Sequence, residues 1–223
     1  MRYTEFTPFD LWLLAQGLSV TIGLFLVTSL IGAFVGVLWG IVRFYRVPVL
    51  MQLVTFVSEI LKNSPVLVQL FLVFFGFPAF FHVNVTPVTA AIITLSANTA
   101  AFVYVIVVSA IESIGRDQVE AARVFGLSRW QVLRHVIAPQ ALAFSIGPLT
   151  ALMVNQLQVT SLISVIGVMD LSKIGANLNL RTLKPFIVWT AVGILYYLAA
   201  KLVATLGAKL EKRLRAHSAF RGL

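Results

Sequence analysis

Five long apolar stretches dominate this sequence, at residues 18–42, 49–81, 88–111, 141–168 and 185–206. A helix needs about 20 apolar residues to cross the hydrocarbon core of a bilayer, and every stretch reaches that length. Charge agrees: 11% of the residues are charged, against about 25% in soluble domains, too few to coat a water-exposed surface. The expected fold class is all-α integral membrane, about five transmembrane helices in a single domain over residues 1–223, with no room for a soluble domain. The first stretch is too long for the core of a cleaved signal peptide and is expected to remain as the first span.

Cysteine is absent, which excludes disulfides and thiolate metal sites. The net charge of +9 points to membrane orientation rather than to nucleic acid, because Lys and Arg concentrate on the cytoplasmic side of a membrane chain. Segments 43–50, 112–140 and 207–223 hold Arg43, Arg46, Arg116, Arg123, Arg129, Arg134, Lys209, Lys212, Arg213, Arg215 and Arg221. The alternate segments hold Arg2, then Lys173, Arg181 and Lys184. The expected topology therefore has the N-terminus outside and the C-terminus inside. His82, His135 and His217 are scattered, which supports neither a metal site nor a proton relay.

Several local features refine this outline. The second stretch exceeds one span, so a kinked or re-entrant portion is expected near residues 59–65, with Pro65 in the first turn of a helix capped by Asn63 or Ser64. Glu59 and Lys62, one turn apart, are expected to pair. Pro87 and Pro139 are read as helix starters for the third and fourth spans. Gly32, Gly36 and Gly40 form a ridge that lets another helix backbone approach, expected to pack inside this chain rather than at a subunit interface. Asn98 and Thr99 in the third span, and Asn155, Gln156, Gln158, Thr160 and Ser161 in the fourth, are candidates for a substrate pathway; bonding between helices is the alternative for each.

The segment 112–140 has its own helical pattern. Residues 118–125 are good helix formers, Gly126 suits a left-handed helix end, and Ser128-Arg-Trp-Gln131 has capping-box spacing. Val132, Leu133 and Val136 give the second helix an apolar side, and Pro139 is expected to close the unit. Two short helices hinged at a glycine make a rigid docking element; a linker lying on the membrane surface is the alternative.

Glu120-Ala121-Ala122-x-x-x-Gly126, followed by Val136, Ala138 and Pro139, resembles the coupling-loop motif of ATP-binding-cassette importer permeases. Asn63-Ser-Pro-Val-Leu-Val-Gln-Leu70 resembles the second-span motif of the polar amino-acid permeases, the histidine, glutamine, arginine and glutamate importers. Pro139-Gln140-Ala141, Asn155 and Thr160-Ser161-Leu162 follow the same subfamily's order and spacing. The resemblance covers roughly residues 15 to 215. It implies a permease subunit in a bacterial inner membrane, paired with a second permease (a sister chain, otherwise a copy). Two cytoplasmic ATPase subunits and an extracytoplasmic substrate-binding protein complete the transporter. ATP and Mg would act in the ATPase, and no cofactor is expected in this chain; it also lacks a G-x-x-x-x-G-K-[ST] phosphate loop and is not expected to be an enzyme. Glu120, Ala121, Ala122 and Gly126 are implied as the ATPase contact, the alanines through close fit and Gly126 through the bend.

The sequence departs from that family where several members carry charges. Val105 and Val108 stand where an acidic residue and an arginine occur in the third span, and Gln158 and Val159 where many members have a Lys-Asp pair. Ala138 replaces a usual leucine and Asn63 a usual arginine. The coupling core is intact, so the departures bear on substrate rather than on coupling. A secondary transporter or channel would need paired intramembrane charges or an inverted repeat, and a membrane enzyme a clustered catalytic set. None is visible in the sequence.

Overall fold

The chain, seen in a computed structural model, is described over residues 5–220, with side chains up to Leu214; His217 lies outside the described side chains. Helix α1, Pro8–Tyr45, is followed by α2, Pro48–Asn63, and α3, Val66–Phe81. Then come α4, Pro87–Glu112, and α5, Arg116–Val124. The last three are α6, Arg129–Ile166, α7, Leu171–Thr182, and α8, Pro185–Phe220. Four of these are long and apolar enough to cross a membrane, and the bent pair α2–α3 brings the number to five where it is counted as one span, in keeping with the about five expected.

The bend between α2 and α3 is 108° and has a local cause. Ser64 is extended, the conformation a following proline imposes. Pro65 does not enter the first turn as expected, but stands one position before Val66. Ser64 does not cap α3 either: its hydroxyl donates back to the Ile60 carbonyl at 2.7 Å, and Asn63 donates to Glu59. The freed carbonyls of the corner are taken by Gln69, whose amide donates to Leu61 O at 2.6 Å and Ser64 O at 3.1 Å. Glu59 and Lys62 pair at 2.6 Å, as predicted.

Pro87 opens α4 as predicted, behind an N-cap Thr86 that accepts from the Thr89 N–H. Pro139 stands in the first turn of the regular α-helical stretch Ala138–Val159, as expected of a starter, but that stretch is not where the helix as a whole begins. α6 runs unbroken from Arg129, and one wide turn at Leu133–Ile137 precedes the proline. Such a turn, with one residue more than an α-turn, gives room for the ring and the missing N–H. The same device precedes Pro78, at Leu72–Gly76 in α3.

The glycine ridge of α1 faces α4 of the same chain. A Cβ on Gly32 would lie 2.8 Å from the Ser96 carbonyl oxygen, and one on Gly36 2.6 Å from that of Ala100; Gly40 meets Val107. Each four-residue step along α1 matches one along α4, so the two helices run parallel in near-backbone contact. Helix α2 runs antiparallel to α4, through Thr55–Tyr104 and Ser58–Ala101 O. Helix α6 also opposes α1 and α4, with Gln156 donating to Thr28 Oγ1 and Leu95 O. Helix α8 opposes α6, its Gly207 against Thr150. Helix α8 therefore runs parallel to α1, so the start of α1 and the end of α8 lie at opposite ends of the bundle.

One face is clamped by charge and polar caps. Asp10, fully buried, accepts from the Thr7 N–H at 2.8 Å and pairs with Arg181 of α7 at 2.6 Å. Asp170 caps α7 through the Lys173 N–H and accepts from Tyr196 of α8, while Thr21 of α1 accepts from the Leu171 N–H. Burial raises the Asp170 carboxyl above its ordinary value, although backbone N–H groups of Lys173 and Ser172 pull it down. The opposite face gathers Phe44 and Tyr45 of α1, Ala110 of α4, Ala122 of α5 and Val132 of α6 into one cluster.

Replacing Gly36 by Leu is expected to force α1 and α4 apart, since overpacking of this kind costs about 1–3 kcal/mol or more. The thermal unfolding temperature of the detergent-purified protein should fall. Gly23→Leu, where a Cβ meets nothing within 4 Å, should leave it near the wild-type value. Equal melting of the two variants would show that the ridge is not a packing device.

Candidate coupling surface and polar residues of the spans

The segment between α4 and α6 is built as one stiff piece. Asp117 sits in the first turn of α5, where a negative charge suits the helix dipole. At the other end the Gly126 N–H donates to Arg123 O at 2.9 Å and the Leu127 N–H to Ala122 O at 3.2 Å. These two bonds form a Schellman closure, and Gly126 takes the positive φ of 81° it requires. The capping box of α6 is formed as predicted: Ser128 N–H donates to Gln131 Oε1 at 2.8 Å, and Gln131 N–H to Ser128 Oγ at 3.3 Å. Gln140 donates to Gln118 at 2.7 Å, strapping α5 to the start of the fourth span.

Ala122 is buried against Ala110, Ile114, Val132, Leu133 and Ile137. The close fit expected of this alanine is thus made inside the chain, where a larger side chain would lift α5 off the span ends. Glu120 and Ala121 are exposed. So are Val124 and Phe125, at 86% and 84%, an apolar tip that sequence reasoning did not single out. Its signal is nevertheless there: Val119 and Ala122 make the inward stripe, so the adjoining Val124 and Phe125 fall off it.

The polar residues of the spans divide into two sets. Asn98 is buried and donates to Leu61 O at 3.3 Å; Thr99 is fully buried against Gly32; Thr160 is buried and donates to Leu157 O at 2.6 Å. Gln156 is buried between α1 and α4. Asn155 and Gln158, by contrast, are exposed one turn apart on the outer face of α6, with Ser161 half-buried beyond them. The candidates therefore do not converge on one cavity within this chain. Asp170, Tyr196 and the Asp10–Arg181 pair escaped the sequence reading, since their partners are 26 and 171 positions away. Among the described residues no cluster of His, Cys, Asp and Glu could hold a metal ion.

The geometry is that of a multi-pass bundle with a stiff two-helix element fixed to its basic face. The family model for the binding-protein-dependent transport system inner membrane component matches residues 18–216. This chain belongs to that family. It is 29% identical over 204 residues to the glutamine transport system permease protein of Escherichia coli K12, covering 91% of this chain and 93% of that one. It is 31% identical over 204 residues to the L-cystine transport system permease protein of Bacillus subtilis 168, covering 89% and 85%. The crystal structure of an amino acid ABC transporter with histidines superposes with a TM-score of 0.84 at 26% identity, over 90% of this chain and 94% of that one. The inward-facing MetNI methionine ABC transporter gives 0.80 at 20% identity, over 94% and 99%, a likeness of fold alone. The chain is thus a permease component of an ATP-driven importer, and not the secondary transporter, channel or membrane enzyme weighed above.

Replacing Gly126 by Val puts a β-branched residue in the left-handed region, at a cost of about 1–3 kcal/mol. Proteolysis at residues 124–128 should quicken in the purified permease while its helical circular dichroism is unchanged. Unaltered protease resistance would mean that this closure does not hold the loop.

Proposed function

We propose that this permease imports a polar amino acid or close analogue, and that residues 116–127 receive the motion of a separate cytoplasmic ATPase. The observation that carries the reading is the stiffness of that segment: α5 is closed by a Schellman motif, strapped by Gln118–Gln140 and packed on the ends of α1, α4 and α6. A push on α5 cannot be absorbed locally and has to move the spans, the rigid-body kind of switch. Glu120 and Ala121 contact the ATPase, joined by the tip of Val124 and Phe125; Ala122 and Gly126 hold the segment in shape. Substrate class is taken from the glutamine, cystine and amino acid transporters to which the chain is similar.

In this reading the basic face is cytoplasmic in a bacterial inner membrane, two ATPase subunits use ATP and Mg there, and an external binding protein delivers substrate. Asn155 and Gln158 require a second permease. An amide facing hydrocarbon without a partner costs several kcal/mol, so their exposed face lines a pathway or meets another helix. Asn98, Thr99, Thr160 and Ser161 support that pathway from within the bundle. An amino acid brings two charges, and this chain offers amides and hydroxyls there; a sister permease is preferred as the source of charged contacts, a copy being the second possibility.

Two experiments test these points. A green fluorescent protein fused after Leu223 should fluoresce and alkaline phosphatase there should be inactive; the reverse pattern would refute the orientation. In liposomes carrying the complete transporter, with its second permease, ATPase and binding protein, Glu120→Lys and Phe125→Ala should each cut ATP-driven uptake at least tenfold and loosen ATPase retention, with normal membrane insertion. Full uptake by either variant would remove the coupling role. Transport by wild-type protein without any other permease would replace the sister by a copy.

A further inference from the structure

The basic face contains a cleft that coupling does not explain. It is open, about 1190 Å³, and bounded by the ends of α1 and α4, the start of α2, helix α5 and the start of α6. Arg43, Arg46, Arg116, Arg123 and Arg129 line it, five cations from three separate segments, against the two carboxylates Glu112 and Glu120. Glu112 is engaged by Arg43 at 3.7 Å, a pair in which both side chains are well exposed. Five arginines against two carboxylates leave an excess of positive charge in the cleft even with this pair counted.

The walls of the cleft are not polar throughout. Met51, Val108, Ile111, Ile114 and Ile137 line it as well, and Arg43 and Glu112 stand at the last turns of two spans. The cleft therefore begins where the apolar stretches end, with arginines and an apolar wall side by side in one lining. Val124 and Phe125, the apolar tip offered to the ATPase, are not among its lining residues.

We propose that this cleft binds an anionic phospholipid, its phosphodiester between the arginines and its upper acyl carbons against Met51 and Ile111. Basic pockets between spans recognise such headgroups, each Lys or Arg near the surface contributing about 1 kcal/mol. An acidic protein surface would satisfy the arginines but not the apolar wall. Glu120 lines the cleft as well as carrying the proposed coupling role, but the lipid site rests on the arginines and the apolar wall and needs only that this face lie in a headgroup layer.

The test uses the permease purified with its ATPase, stripped of lipid and titrated with phosphatidylglycerol, phosphatidylcholine or inorganic phosphate under native mass spectrometry. Wild-type protein should retain phosphatidylglycerol at least tenfold more strongly than phosphatidylcholine. The triple variant Arg43→Gln, Arg46→Gln, Arg116→Gln should lose about tenfold in that retention, and the triple control Arg134→Gln, Lys209→Gln, Lys212→Gln, equal in charge removed but outside the cleft, should lose less than twofold. Should the triple variant not assemble, Arg116→Gln alone, an exposed residue, should lose two- to threefold. Equal retention of both lipids, equal loss in the control, or displacement by equimolar inorganic phosphate would overturn the proposal. Loss of the ATPase with lipid retention unchanged would overturn it too, and assign the arginines to a protein surface.

Discussion

The parallel contact between α1 and α4 is the constraint on which the other positions depend. Three glycines at four-residue spacing bring the two backbones together, and the carbonyls of Ser96 and Ala100 lie where a side chain of α1 would otherwise be. Lipid tails are as apolar as the helices, so water gives little drive for helices to associate inside a bilayer. Close packing has to supply it, and small residues permit the closest packing. With α1 and α4 fixed, α6 follows in the groove between them, where Gln156 reaches both Thr28 and the Leu95 carbonyl. Helix α2 follows on the other side of α4 through Tyr104, Ala101 and Asn98.

The two ends of this pair are finished by different physics. At one end buried carboxylates hold short segments: Asp10 takes Thr7 and Arg181, and Asp170 takes the first turn of α7 and the Tyr196 hydroxyl. A carboxylate so placed is costly unless its lone pairs are occupied, and that cost makes the geometry single-valued. The other end is held by apolar contact among Ala110, Ile114, Ala122 and Ile137, with charges left outside. Apolar contact tolerates small sliding more readily than a two-centre ionic clasp does. Under the proposed coupling, a bundle pushed from the basic face is better served by this distribution than by its reverse.

Much of this was legible in the sequence, and the reason is periodicity. Span number, the bend near residues 59–65, the glycine ridge, the Gly126 closure and the Ser128 capping box all rest on residues within a few positions of each other. Prolines were legible only by half. Pro87 behaves as a starter, whereas Pro139 sits inside α6 because a wide turn absorbs it, and Pro65 stops short of the first turn because Gln69 serves the corner instead. The choice between a starter and a tolerated proline depends on hydrogen bonds several residues away. Asp10 with Arg181 was beyond reach for the same reason on a larger scale, since only the fold makes them neighbours.

The polar residues of the spans show how burial reapportions a list that sequence treats as uniform. Composition places Asn98, Thr99, Asn155, Gln156, Gln158, Thr160 and Ser161 in one class. Packing gives Asn98, Gln156 and Thr160 hydrogen-bond partners within the chain, so each is satisfied before any ligand arrives. Asn155 and Gln158 lie on the opposite side of α6 from Gln156, exposed and spaced by one turn. Within a bilayer such a face is stable only if water, substrate or another chain covers it. The bundle therefore closes its own interior with one set of amides and leaves the other on its surface, as the proposed sharing of a pathway with a second permease requires.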